Sequence, residues 1–187
     1  MNSTDFILSD PFLTLRPLRL EHAVPLYHAV RASLDDLIPW MSWAHPGYSL
    51  ADARQWVMTA SRQWKEGQYY GFAIFNQERE LIGSCSLGQI HPYYRFANLG
   101  YWVHHAYRGR GIAGRAARLV ARFGFEALGL LRIEIVIALN NHASRRVAEK
   151  IGAHFEGVLR NRLIVHGRVQ DAAMYSLIPQ DIQLFPP

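Results

Sequence analysis

"YRGRGIAGRAARLV", from Tyr107 to Val120, packs three glycines and four arginines into fourteen residues. Beyond it an apolar ladder takes over. Ile112, Ala116, Leu119, Val120, Phe123, Ala127 and Leu130 recur at helical spacing, while Arg115, Arg118, Arg122 and Glu126 take the other face. A glycine-arginine turn therefore opens a helix. The first N–H groups of a helix have no internal partner, and the helix dipole adds roughly half a positive charge there. Glycines let a polyphosphate approach the backbone without Cβ obstruction. The combination suits a pyrophosphate, with Arg108, Arg110 and Arg115 adding charge. The same residues also suit an ordinary turn before a basic surface helix, and taken alone they leave both readings open. The stretch is not a P-loop, because G-x-x-x-x-G-K-S/T is absent. Nor is it the dinucleotide fingerprint, which follows an early parallel strand; three strands with antiparallel character precede this turn.

Upstream, "LTLRPLRL" alternates as a first strand stopped near Pro17, and Leu20 to Ser33 carries Leu20, Ala23, Tyr27 and Val30 at helical spacing. "IPWMSWAHPGY" is an aromatic loop. "SLAD" at Ser49–Asp52 predicts a capping box opening a helix through Trp56, Ala60 and Trp64, with Gly67 ending it. "YYGFAIF", "LIGSCSLGQI" and "FANLGYWVH" read as an antiparallel meander. Downstream, "LRIEIVIAL" is a strand with Ile133, Ile135, Ile137 and Leu139 on one side. "NNHASRRVAEKIG" is a helix capped by Asn141 and stopped by Gly152, and a final hairpin turns at His166-Gly167. The order is strand, two helices, three strands, helix, strand, helix, two strands: a mixed α/β (α+β) single domain over 1–187, with its core at about 12–178.

At 187 residues and 50% hydrophobic, the chain suits one folded core. No apolar run is long enough for a membrane span, and "MNSTDFILSDPFLTLR" lacks the basic-then-apolar pattern of a signal peptide. The single cysteine, Cys85, reads as a packed strand residue, which fits a reducing cytoplasm. The net charge of +5 invites an anionic partner without choosing one. The nine histidines show no metal-motif spacing, so no metal is expected.

In this context the sequence resembles the GNAT superfamily of acyl-CoA-dependent N-acyltransferases. The family's cofactor motif, Gln/Arg-x-x-Gly-x-Gly/Ala, reads here as Arg108-Gly109-Arg110-Gly111-Ile112-Ala113. "NLGYWVHHAYRGRGIAGRA", "NNHASRRVAEKIGAHFEGVLR" and "GRVQDAAMYSL" are similar to the RimJ/RimL branch, which acetylates N-terminal amines of ribosomal proteins. The resemblance runs from about Phe12 to Leu177. It implies a mostly antiparallel sheet of about seven strands with a splayed fourth/fifth pair, flanked by about four helices. It also implies acetyl-CoA as co-substrate. By this resemblance Arg108 to Ala113, with Gly114 and Arg115, would cradle the CoA pyrophosphate. Tyr101, Trp102 and Val103 would lie on the splayed strand beside the pantetheine arm. Asn141 would contact that arm, and Ser144 would donate a proton to the leaving thiolate.

The resemblance breaks at the acids. Relatives carry Glu in "AEIGYW", where this chain has Asn98, and Glu in "EGVLRDYEL", where it has Leu163. Asn98 can order a water but cannot take a proton at neutral pH. A histidine such as His45, His91 or His104 is the alternative base. Glu134 reads as one member of a surface ion pair. Trp40, Trp43, His45 and Tyr48 of the aromatic loop are the expected acceptor-side residues, joined by Tyr69 and Tyr70, whereas Trp56 and Trp64 read as helix packing. The loop holds few acids, which disfavours a polyamine and favours a peptide N-terminus or a small amphipathic amine. Competing expectations are detoxification of a small amine, a non-catalytic acyl-CoA sensor, and an RNA-binding module built on Arg108, Arg110, Arg115, Arg118 and Arg122; nucleic acid is not the expected partner. Both a monomer and a homodimer fit.

Overall fold

The computed structural model describes residues 6–183, so the outermost residues of the expected 1–187 domain lie outside it. In chain order its strands are β1 (Leu8–Ser9), β2 (Thr14–Pro17), β3 (Tyr70–Phe75), β4 (Leu81–His91), β5 (Phe96–Val103), β6 (Arg132–Ala138), β7 (His154–Val165) and β8 (Arg168–Leu177). The helices are α1 (Ala23–Ala32), α2 (Leu34–Leu37), α3 (Leu50–Lys65), α4 (Ile112–Glu126), α5 (His142–Lys150) and α6 (Pro179–Gln183). One sheet runs in the order β1-β2-β3-β4-β5-β6-β8-β7. The eighth strand, beyond the seven or so expected, is β1: two residues pair with β2, too few for an alternation to register. The four expected helices are the long ones; α2 and α6 span four and five residues.

The local signals act as their chemistry requires. At the start of α3 the Asp52 N–H donates to Ser49 Oγ at 3.3 Å, and the Ser49 N–H donates to Asp52 Oδ2 at 2.7 Å. Asn141 caps α5 by accepting the Ser144 N–H at 3.1 Å. His166 and Gly167 both have positive φ, 48° and 75°, as the primed turn of a two-residue hairpin needs.

The alternation along the strands sorts residues onto two faces. Cys85 and Leu87 of β4, Ala97 and Leu99 of β5, and Ile133, Ile135 and Ile137 of β6 pack with α4 in one core. Helix α4 approaches closely because it presents Ala116, Ala117, Ala121 and Gly124; a Cβ on Gly124 would lie 2.9 Å from Leu87. The opposite face carries α1 and α3, whose Leu26, Val30, Val57 and Ala60 form a second core with Ala73 and Leu81. Each large apolar side chain buried this way stabilises by about 1.5–3 kcal/mol.

Among the described strands only β5 and β6 pair in parallel, and only where Phe96–Asn98 face Arg132–Glu134. Beyond that point β5 stays on β4 through Val103, while β6 stays on β8 through Ala138, so the two diverge. Asn98 sits at the fork, its Oδ1 accepting the Val136 N–H at 3.3 Å. The side chain takes the place of the ladder bond that the divergence removes.

Candidate active site

Strand β5 leads through a short 3₁₀ turn, His105–Tyr107, into the glycine-arginine stretch. Gly109 and Gly111 adopt φ of 75° and 77°, which β-carbon-bearing residues rarely do, and Gly111 is the N-cap of α4. No side chain caps that helix end, and a Cβ built on either glycine meets nothing within 4 Å. The helix terminus is therefore open in front, with backbone donors facing the space an anion would fill. The turn is anchored from behind. The His105 N–H donates to Ser33 Oγ at 3.0 Å, Tyr107 OH donates to Glu80 at 2.6 Å, and Arg108 pairs with Asp36 at 2.6 Å. Arg115 pairs with Asp10 at 3.2 Å and lies over the Phe12 ring at 4.1 Å. Two of the arginines expected around the anion are thus engaged within the chain. The Arg110 guanidinium is stacked on Tyr107, 5.2 Å from the ring centroid, and the backbone N–H groups and helix dipole are what the turn leaves to meet an anion. Open glycine turn and uncapped terminus together fit the pyrophosphate of acetyl-CoA.

The splay is braced at its far side. Tyr101 OH donates to the backbone carbonyl of Ser144 at 3.0 Å, and Ser144 Oγ donates to Tyr101 OH at 3.1 Å. A phenol from β5 thereby reaches the first turn of α5. Burial pushes that phenol well above its ordinary range, so it stays neutral. Ser144, Asn141 and Tyr101 do come together as expected. The hydroxyl of Tyr101 is an addition, since the sequence pointed only to the backbone of its strand.

A cavity of about 390 Å³ opens beside β5, between α1, the aromatic loop and α3. Of the residues expected from the aromatic loop, Trp43, His45 and Tyr48 line it; Trp40 and Tyr70 are not among its lining residues. Tyr70 instead packs on Trp64 and Phe123, with ring centroids 5.0 and 5.6 Å away. Tyr69, expected together with Tyr70, lines the cavity, edge-on to Trp56 at 5.3 Å, and Trp56, read as helix packing, lines it too. Trp102 completes the ring from β5, 6.3 Å from Trp43. The floor is small: Ser84 and Ser86 of β4 with Gly100 of β5. This floor carries a sequence signal, the Ser-x-Ser-x-Gly alternation of residues 84 to 88 on one face of a strand. Burial raises Tyr48 and Tyr69 to about 12. His45 is the cavity's imidazole and Asp52 its carboxylate, Nε2 to Oδ2 being 3.9 Å. Hydrogen bonds from Ser49 hold the Asp52 carboxyl below its usual range.

The remaining candidates lie elsewhere. Leu163 pairs with Gln170 on the final hairpin. Glu134 bonds Arg132 at 3.0 Å, the ion pair its polar face suggested, and Arg122 lies 4.0 Å from Glu126. The hairpin tip reaches the root of the aromatic loop, His166 Nε2 lying 3.1 Å from the Ile38 carbonyl.

The acetyltransferase (GNAT) domain model matches residues 13–154. The Escherichia coli ribosomal-protein-serine acetyltransferase is 27% identical over 94% of this chain and 97% of its own. The structure of Mycobacterium smegmatis RimJ in complex with CoA-disulfide superposes with a TM-score of 0.84 at 25% identity, covering 98% of this chain and 90% of that one. The fold of the ribosomal L7/L12 acetyltransferase RimL, in complex with coenzyme A, matches with a TM-score of 0.86 at 24% identity over 92% and 98%. An open helix terminus after a splayed strand, an aromatic cavity beside that strand and these likenesses lead to one conclusion: the chain belongs to the GNAT acetyltransferase family, as a RimJ/RimL-like, acyl-CoA-dependent N-acetyltransferase that uses acetyl-CoA as co-substrate.

Proposed function

We propose that the chain acetylates the α-amine of a peptide or protein N-terminus, with donor and acceptor bound together on β5. One observation carries this reading. The cavity opens on Gly100, Tyr101 and Trp102, the segment that continues directly into the open terminus of α4. Acceptor pocket and anion site are then two ends of one stretch of chain. The name of the Escherichia coli relative, which specifies a ribosomal protein as acceptor, supports a protein amine.

Acetyl-CoA supplies an acyl group activated as a thioester. In this reading the N–H groups of Gly109 to Gly114 hold its pyrophosphate, and Asn141 and the backbone of Tyr101 to Val103 line its arm. A backbone N–H near Val103 faces the carbonyl oxygen as negative charge develops. An α-amine has a pKa of about 8, so a useful fraction is neutral at about pH 7.5 and attacks without a strong base. Asn98 orders the water that carries away the proton. As the new C–N bond forms and the C–S bond breaks, the Ser144 hydroxyl exchanges its bond to the Tyr101 hydroxyl for one to the departing sulfur and passes it a proton, and the proton the amine has given up through water restores the hydroxyl. Holding both reactants in line supplies several kcal/mol of the barrier. The buried Cys85, whose thiol burial pushes up, suits work in a reducing cytoplasm. A small-molecule amine is the second reading, favoured by the modest size of the cavity.

The test is thiol release from acetyl-CoA over pH 6 to 9, with N-terminal peptides of ribosomal proteins, free amino acids and amine antibiotics as acceptors. Saturable release with peptides sustains the proposal. Release with antibiotics alone transfers it to the second reading, and none with any acceptor despite acetyl-CoA binding overturns it.

A further inference from the structure

The chemistry of the cavity narrows the acceptor further. Its walls are rings: Trp43, Trp56, Tyr48, Tyr69 and Trp102, over the small floor of Ser84, Ser86 and Gly100. Trp43 lies tilted to Tyr48 at 6.0 Å and 58° and to Trp102 at 6.3 Å and 57°, and Tyr69 meets Trp56 edge-on at 5.3 Å. The space between them is not filled by the chain's own side chains. The charged and titratable neighbours, Asp52 and His45, sit together at the rim with side chains 45% and 48% exposed. The interior tyrosines stay neutral. A second positive charge on an acceptor would meet, beside the ring faces, only the half-exposed Asp52, which Ser49 already bonds, and leaving water for such a space is costly. An uncharged apolar or aromatic group would bury its surface there and stack on the rings.

Resting on the peptide reading above, we infer that this enzyme selects an acceptor whose group next to the reacting amine is large and apolar, an aromatic or branched aliphatic first side chain, in preference to the small serine or alanine. The name of the Escherichia coli relative specifies serine. The difference is one of volume and surface. A hydroxymethyl or methyl group leaves most of the roughly 390 Å³ to be filled by water against aromatic walls. A phenyl or isobutyl group displaces that water. Trp43 is the selecting residue, because it alone touches both the loop ring of Tyr48 and the strand ring of Trp102 among the described ring pairs.

The experiment compares kcat/KM, by thiol release from acetyl-CoA, for four tetrapeptides that differ only in the first residue: Phe, Leu, Ser and Ala, followed by Ala-Ala-Ala. Phenethylamine, an apolar amine without a peptide, and spermidine, a charged one, complete the set. The expected result is a preference of roughly tenfold or more for Phe and Leu over Ser and Ala, falling toward unity in Trp43→Ala. Trp56→Ala, at a second wall position, is expected to lower the same ratio, which keeps the test independent of the folding of one variant. Circular dichroism and melting of both variants confirm their folds. Equal use of all four peptides, or preference for Ser and Ala, overturns the inference and leaves the peptide reading intact. Turnover of phenethylamine with none of the peptides sustains the apolar pocket and overturns the peptide reading. Preferred turnover of spermidine, or turnover of nothing in the set, overturns both.

Discussion

Two aromatic groups lie on opposite faces of the same sheet, and they behave oppositely. On one face Trp64, Tyr70, Phe72 and Phe123 meet edge-to-face or tilted at 5.0 to 6.0 Å, with Tyr70 half-buried at the margin and Trp64 3% and Phe123 4% exposed. On the other, Trp43, Tyr48, Trp56, Tyr69 and Trp102 surround a cavity. The ring types are the same, and the difference lies in what faces them. Beneath α4 the sheet offers Leu87, Leu99 and Ile133, large residues that fill the space up to the helix's alanines. Beneath the aromatic loop it offers Ser84, Ser86 and Gly100, while Trp43 and Tyr48 come from the loop, Trp56 from α3, Tyr69 from the residue before β3 and Trp102 from β5. Large sheet residues under a closely approaching helix make a core, and small sheet residues under the rings leave a pocket. A strand with one face of each kind separates stability from function at single-residue spacing.

The contrast can be broken most forcefully in the core. Phe123→Ala is expected to cost about 3–5 kcal/mol of stability through the cavity it leaves. Trp43→Ala, at a side chain 41% exposed, should stay within about 1 kcal/mol. Urea unfolding midpoints of the two variants check the pair; equal losses would mean that the two clusters are one core. The converse change fills the pocket floor. Ser86→Leu should lower kcat/KM for every acceptor by roughly 100-fold, as misplacement of a reactant does, while the Kd for acetyl-CoA moves little. Unchanged turnover would place the acceptor elsewhere.

A smaller effect is expected at the brace between β5 and α5. Tyr101→Phe removes the acceptor of the Ser144 hydroxyl bond and should lower kcat roughly tenfold. Because burial keeps that phenol neutral, the pH profile should keep its shape. A shifted profile would make Tyr101 a titrating group instead of a positioning one.

The smallest effect lies outside both clusters, where Arg132 grips Glu156 at 2.6 Å and Ser176 Oγ donates to Glu156 at 2.6 Å. Hydrogen bonds from Arg132 lower the Glu156 carboxyl from 4.5 to about 2. A depressed carboxyl stabilises the fold above its unfolded pKa and loses that contribution as pH falls through the folded value. The melting temperature should therefore fall more steeply between pH 4.5 and 2 in the parent than in Glu156→Gln, with the curves converging at the acid end. Both side chains are about one-third exposed, so the gap is modest. Parallel curves would show that the pair contributes nothing.

The sequence by itself determined whatever depends on near neighbours. The glycine-arginine turn, the capping box at Ser49 and Asp52, the Asn141 cap and the His166-Gly167 turn are each set by residues within a few positions, where backbone sterics and local hydrogen bonds decide. The alternation along β3 to β6 fixed which residues would share a face. Tertiary structure alone decided what each face would meet. Tyr70 and Tyr69 are adjacent and chemically alike, yet one enters the core and the other the pocket, because they point to opposite sides of the sheet. Arg108 and Arg115 read as anion ligands until Asp36 and Asp10, far off in sequence, arrive beside them. Asn98 reads as a lost base until the divergence of β5 and β6 places the Val136 N–H in front of its oxygen. In each case a partner distant along the chain satisfies a polar or apolar group, and no local pattern contains that partner.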